Sequence, residues 1–299
     1  MQQAILLHNP GAGEEDHLKS DLVKSIEAAG FGCVYFSVKK EDNWKKQLDQ
    51  ADLAVVAGGD GTVRRVVKEL VKRNALDKKI PIALLPMGTA NNLCKTLGIN
   101  RGLDSKHHIE NWKKAKLQKF DIGVIKNADT TDFFLEGAGY GVFPKLIKKM
   151  ETIDMSHVKT ARDELQLALE VLHDIILSAK ATRYWIKADD SVYQGKSLLL
   201  EVMNIQSIGP NLILSPDAKT DDGVFDVVIV NEEQREDFAR YIKELITNEK
   251  ATFDWKTFKA KTLSIDSESK HMHVDDELVL PLKNPLALEV RENVLEFLI

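Results

Sequence analysis

Three short stretches of this 299-residue chain combine glycine with polar residues in a similar way: "NPGAG" at 9–13, "GGDGT" at 58–62 and "PMGTANN" at 86–92. Each follows an apolar run directly. Glycine leaves the backbone open to close approach, so N–H groups at such turns can reach an anion, and a helix that starts there adds the positive end of its dipole. For any one loop, a tight turn between strand and helix is the simpler reading. Three such loops on one sheet edge point instead to a ligand that carries phosphates. Asp60 lies inside the second loop. Among amides that attract anions its carboxylate repels the ligand, unless a cation lies between them or the group handles a proton. Magnesium bridging to nucleotide phosphates meets that need. Thr62 and Thr89 suit helix capping and could instead turn a hydroxyl to a phosphate. Neither standard phosphate fingerprint is present: "GAGEED" lacks the third glycine of G-x-G-x-x-G, and no G-K-[ST] closes it.

The elements that must carry these loops alternate between two periods. "QQAILLH", "FGCVYFSV", "DLAVVAG" and "KIPIALLP" read as strands. Between and after them come helical patterns: Leu18, Leu22, Val23 and Ile26; a short segment with Trp44 and Leu48; Val63, Val66, Val67, Leu70 and Val71; and "TANNLCKTLG". Apolar strands alternating with helices predict crossovers and a parallel sheet covered on both faces. Such sheets bind ligands beyond the carboxyl ends of their strands, where the three loops lie. From about Lys119 the strands become short and several alternate, with turn signals at Asp189-Asp190, Asn211 and Asp221-Asp222-Gly223. That is mainly antiparallel β, broken by helical patterns at about 156–181 and 233–247. The expected fold is an α/β three-layer domain over residues 1–120 and a β-rich sandwich domain over 121–299, with the last strand free to return to the first domain.

At 43% hydrophobic residues the chain can bury a sizeable core, and a mixed net charge of −5 argues against nucleic acid as a partner. Cys33 and Cys94 read as buried thiols of a reducing compartment. "MQQAILLHNPGAG" lacks the features of a signal peptide, and no run of eighteen apolar residues exists, so the cytosol is the expected setting.

"NPGAG", "GGDGTVRRV", "LLPMGTANNL", "SPDAKTDDGVFDVVIV" and "HVDDELVLP" occur in the order and approximate spacing of bacterial lipid kinases of the diacylglycerol kinase catalytic-domain family. That family includes ceramide and sphingosine kinases, and the resemblance covers nearly the whole chain. It implies a two-domain enzyme that binds ATP and magnesium in the cleft between the domains. By position, Asn9, Pro10, Gly11, Ala12, Gly13, Ser37, Gly59, Gly61, Thr62, Thr89 and Asn91 resemble the nucleotide contacts, and Asp60 the acid that works with magnesium. Glu277, in "VDDE", stands where the family's Asp-Gly-Glu motif places its proposed base. "DAKTDDGVF" resembles a structural magnesium loop, with ligands implied at the carbonyls of Lys219 and Val224 and the carboxylate of Asp222. An ordinary Asp-Gly hairpin turn explains that stretch nearly as well. The implied partners are a lipid substrate and the inner membrane surface, met transiently; a homodimer is left open.

The chain departs from the family pattern at three positions. Asn92 replaces an aspartate, Arg65 an acid, and Asp276 the glycine of Asp-Gly-Glu. Arg64 and Arg65 either pair with phosphate or lie on a solvated helix face, and at least one is expected in solvent. His271, His273 and Asp275 alternate on one strand; that strand explains them better than zinc does. "LALEVLHDIILSA" reads as a core-covering helix, and "FPKLIKKM", residues 143–150, as the better contact for an anionic surface. Glu136 in "FFLEGAGYG" is an acid in a region expected to be buried. Two other functions fit part of the sequence. An NAD kinase shares G-G-D-G-T and the α/β-then-β layout, and a non-catalytic nucleotide or lipid sensor would suit the missing acid at Asn92.

Overall fold

A computed structural model describes residues 2–12, 19–40, 42–73, 77–99, 104–127, 133–247, 249, 251–279 and 285–299. The chain forms two compact units, one of residues 1–120 with 293–299, the other of 121–292.

In the first unit, strands β1 (Gln3–His8), β2 (Gly32–Ser37), β3 (Leu53–Gly58) and β4 (Ile82–Pro86) pair in parallel in the order β2-β1-β3-β4. The central β3 is buried throughout, as a strand covered on both faces must be. Helix α1 (Lys19–Ala28) buries Leu22 and Ile26 against Leu6, Val55 and Ala83. Helix α2 (Trp44–Gln47) carries the fully buried Trp44, and α3 (Asp60–Leu70) buries Val63, Val66 and Val67. Helix α4 is only Asn92–Thr96, shorter than "TANNLCKTLG" suggests, because Asn91 before it adopts φ 52° and cannot continue a right-handed helix. The sequence pattern gives no sign of α5 (Ser105–Asn111), which is mostly polar, buries only Ile109 and is capped by the Asp104 carboxylate on the His107 N–H. Cys94 is buried, but Cys33 is only half-buried, and burial pushes its thiol up to about 11.

Strand β5 (Leu117–Ile125) leads into the second unit, whose strands pair antiparallel among the described residues. After β6 (Phe133–Phe134) and β7 (Gly137–Gly141) come α6 (Val142–Met150) and α7 (Ala161–Ser178). A Thr160–Asp163 capping box starts α7 five residues later than the sequence pattern suggests. Next are β8 (Thr182–Ala188), β9 (Ser191–Met203), the small pair β10 (Ser207–Ile208) and β11 (Leu212–Ile213), and β12 (Phe225–Asn231). Helix α8 (Arg235–Ile246) precedes β13 (Lys256–Ala260), β14 (Thr262–Ser267), β15 (Met272–Val274), β16 (Glu277–Val279) and β17 (Leu286–Leu298). The long β9 joins two layers: Ser191–Ser197 pairs with β8, and Leu199–Met203 with β7 and β12. One apolar cluster, with Tyr140, Ile186, Val202, Phe225, Ile265 and Leu288, fills the sandwich. A second, with Phe143, Leu146, Leu172, Ile176 and Phe238, lies under α6, α7 and α8. The fold is therefore α/β followed by an antiparallel β-sandwich, as the two sequence periods predict. The turn signals hold as well: Asp189, Asn211 and Gly223 all take positive φ.

Candidate active site

In the first unit the three glycine loops meet at the ends of the adjacent strands β1, β3 and β4. The Asn9 amide bonds to the Ala57 carbonyl, and the Met87 amide to the Gly58 carbonyl. Asn9 Nδ2 donates to Thr62 Oγ1 at 3.3 Å, tying the β1 loop to the start of α3. A Cβ on Gly58 would lie 2.5 Å from Thr62 Oγ1, and one on Gly88 would lie 2.3 Å from the Gly59 Cα. Gly88 and Gly59 thus rest backbone on backbone, one loop against the next, while Gly58 makes room for the Thr62 side chain of its own loop. Gly88→Ala sets a side chain against backbone that cannot swing aside, and should destabilise the protein by about 1–3 kcal/mol, the usual range for overpacking. A thermal melt checks it.

Asp60, the first residue of α3, is half-buried, and its carboxylate accepts from the backbone N–H of Asn92 at 3.0 Å and of Leu93 at 3.2 Å. The group caps α4 from across the sheet edge, so its position among glycines has a structural reason that the sequence did not reveal. Those two amides are consequently held by Asp60 and not offered to a ligand. Asn91 is likewise turned inward, with Oδ1 accepting from the Gly88 N–H at 2.9 Å. Pro10, Gly11 and Gly61 are exposed, Asn9, Ala12, Gly59 and Thr89 half-buried, and Ser37 and Thr62 buried; Gly13 lies outside the described residues. Arg65 faces solvent beside Asp42 at 3.4 Å, whereas Arg64 is 5% exposed.

The second unit holds the other predicted residues. Glu277 is exposed at the head of β16, directly after the turn Asp275-Asp276. Positive φ falls on Asp275, at 52°, and among the described residues Asp276 carries none. The missing glycine therefore brings no backbone strain. The Asp275 carboxylate accepts from the N–H groups of Leu135, Glu136 and Gly137, the closest at 2.7 Å. His273 is buried and engaged with Glu201 and the Asp275 carbonyl; among the described residues no set of three or more His, Cys, Asp or Glu side chains is arranged to hold a metal ion.

The loop with Lys219, Asp222 and Val224 precedes β12. Buried Asp121 fastens it, its carboxylate accepting from the Gly223 N–H at 2.9 Å and its own N–H reaching the Thr220 carbonyl. Lys259 Nζ donates to Asp222 at 3.0 Å and lies 3.4 Å from Asp226. Burial alone would lower the Lys259 pKa, but the two carboxylates outweigh it and raise the value. The donor types match a divalent-ion site, yet the Asp222 charge is already balanced by the chain's own ammonium.

A family model described as "Diacylglycerol kinase catalytic domain" matches residues 3–125, and one described as "YegS C-terminal NAD kinase beta sandwich-like domain" matches 150–299. The chain belongs to the diacylglycerol kinase catalytic-domain family. It is 26% identical over 287 residues to a diacylglycerol kinase of Bacillus subtilis, covering 93% of this chain and 90% of that one. A diacylglycerol kinase of Staphylococcus epidermidis is also 26% identical, with 92% and 86% covered. Among solved structures, a diacylglycerol kinase from Bacillus anthracis superposes with a TM-score of 0.69 at 21% identity, over 99% and 96% of the two chains. An NAD kinase from Archaeoglobus fulgidus in complex with ATP superposes at 0.55 with 13% identity, over 100% and 94%. These likenesses in structure concern the fold. As a member of the diacylglycerol kinase family, the protein is a kinase of the lipid-kinase class. Asp121, Lys259 and the Glu201–His273 pair escape sequence reading; only the alternating Gly137, Gly139 and Gly141 inside a strand hint at a close approach there.

Proposed function

We propose that the protein transfers the γ-phosphate of ATP to a hydroxyl of diacylglycerol or a related lipid. The observation that carries this reading is the meeting of three glycine loops around one carboxylate at the carboxyl end of a parallel sheet. Phosphoryl transfer asks a protein mainly for positioning and charge stabilisation. The turn at Gly11 and Ala12, whose amides rest on Asn9 Oδ1 and the Asn9 carbonyl until a ligand displaces them, and the first turn of α3 receive the phosphates, beside the side chains of Asn9, Ser37, Thr62 and Thr89. Asp60, the carboxylate at the meeting point of the loops, is the residue to hold magnesium, which would neutralise phosphate charge. Glu277 takes the proton of the lipid hydroxyl as that oxygen bonds to the γ-phosphorus; the bond to the β-phosphate oxygen breaks, and ADP leaves with its electron pair. At the Lys219–Val224 loop, Lys259 is the competing cation. Lys259→Met should therefore raise the apparent magnesium affinity, read from the rise in melting temperature with added magnesium.

The test is transfer of labelled γ-phosphate, with and without magnesium, to diacylglycerol, monoacylglycerol, ceramide, sphingosine, phosphatidylglycerol and undecaprenol. Transfer to one of these supports the proposal. The fold shared with the Archaeoglobus enzyme keeps an NAD kinase as the second reading, and formation of NADP from NAD and ATP would select it. ATP that stabilises the protein while no alcohol accepts phosphate would mark a sensor. Among the described residues no helix is long and apolar enough to cross a membrane, and the proposal has lipid met at a surface. Exposed Lys145, Lys148 and Lys149 on α6 suit an anionic one.

A further inference from the structure

Three neighbouring strands of the second unit place His273, Gly139 and Glu201 in register, His273 opposite Gly139 and Gly139 opposite Glu201. Glu201 and His273 are therefore two strands apart, yet His273 Nε2 and Glu201 Oε2 are 2.9 Å from each other. Only the glycine between them allows this. A Cβ on Gly139 would sit 2.2 Å from Glu201 Oε2 and 2.5 Å from the Leu200 carbonyl. The side chains are 1% and 0% exposed, and the Phe143 ring covers His273 edge-on at 5.6 Å. Burying two ionisable groups is unfavourable unless they are paired and hydrogen-bonded, so a retained pair calls for a reason. Its other end supplies one. His273 Nδ1 lies 2.9 Å from the Asp275 backbone oxygen; a carbonyl can only accept, so Nδ1 carries a proton. Asp275 is thereby held at its carbonyl by His273, at its carboxylate by three amides of residues 135–137, and at its N–H by the Gly137 carbonyl. Glu277 leaves the turn two residues later.

We propose that the Glu201–His273 ion pair, reaching across Gly139, is the positioning device that locks the left-handed Asp275 turn and so aims Glu277. This rests on the reading of Glu277 as the base. The charged groups facing the ring are Glu201 from β9 and Asp275 from its own strand end; α6 contributes the uncharged Phe143. Burial opposes the imidazolium, but Glu201 outweighs it and holds the His273 pKa above its ordinary value. Burial also raises the Glu201 carboxyl, more than His273 lowers it, so the 2.9 Å contact across Gly139, not either shift, carries the pairing.

The test uses the full chain with 15N-labelled histidine, and Glu201→Gln. In the wild type both His273 ring nitrogens are protonated at neutral pH; in Glu201→Gln the ring becomes neutral with Nδ1–H retained. Glu201→Gln should lower lipid turnover roughly 10²-fold, the scale of an ångström of misplacement, with the KM for ATP unchanged. Added to Glu277→Gln, it should cause no further loss. His273→Gln, which cannot serve the Asp275 carbonyl and Glu201 with two N–H donors of a charged ring, is the second variant should Glu201→Gln not fold. A neutral wild-type ring overturns the proposal, and so does a loss that simply multiplies with that of Glu277→Gln, the mark of a merely structural pair. A wild type that phosphorylates no lipid overturns the base assignment and the aiming role with it, while the ring signal still decides the ion pair.

Discussion

Glu277→Gln should lower lipid phosphorylation roughly 10²- to 10⁴-fold, the range that a general base contributes, and leave the affinity for ATP unchanged. The side chain is exposed, so the substitution disturbs no core packing and the melting temperature should stay within about 0.5 kcal/mol equivalent of the parent, as for surface changes generally. Glutamine preserves the shape and the backbone pairing of Glu277 with Val274 while removing the ability to take a proton. The loops proposed to bind nucleotide belong to the other unit, which is why ATP binding and turnover should separate so cleanly. Initial rates of γ-phosphate transfer, set beside ATP titrations, provide the measurement. Near-normal turnover would remove Glu277 from the reaction.

Asp60→Ala should do damage of two kinds that Asp60→Asn pulls apart. Alanine leaves the N–H groups of buried Asn92 and Leu93 without their acceptor, a loss of about 1–3 kcal/mol for each buried group left unsatisfied. Asparagine keeps one oxygen and should recover part of that stability. It does not restore the charge, so turnover should remain reduced roughly 10²- to 10³-fold, the effect of losing one element of electrostatic stabilisation. Thermal melts follow the first effect and transfer rates the second. Full turnover in Asp60→Asn would reduce the residue to a helix cap.

The contrast between these residues shows what a sequence can disclose. Glycine loops after apolar strands were legible because glycine is sparse and the strand period is regular, and their meeting at adjacent strand ends follows from parallel order. The positive φ at Asp189, Asn211 and Gly223 was legible because turn chemistry is local. Asp60 was visible as an oddity but not as a cap, since its partners lie 32 and 33 residues away. The Gly59–Gly88 contact and the Glu201–Gly139–His273 register depend on which strands become neighbours, and local pattern carries no such information. Arg64 and Arg65 look alike in sequence; one helical step puts the first inside and the second in solvent.

The central claim is that the loops after β1 and β3 grip a triphosphate beside Asp60. Amide NMR spectra of the full chain, titrated with a non-hydrolysable ATP analogue and magnesium, test it most directly. The account predicts the largest shifts at Gly11, Ala12, Gly59, Gly61 and Thr62, with the magnesium-dependent part lost in Asp60→Asn. Shifts that leave those amides still and gather elsewhere on the chain would contradict it.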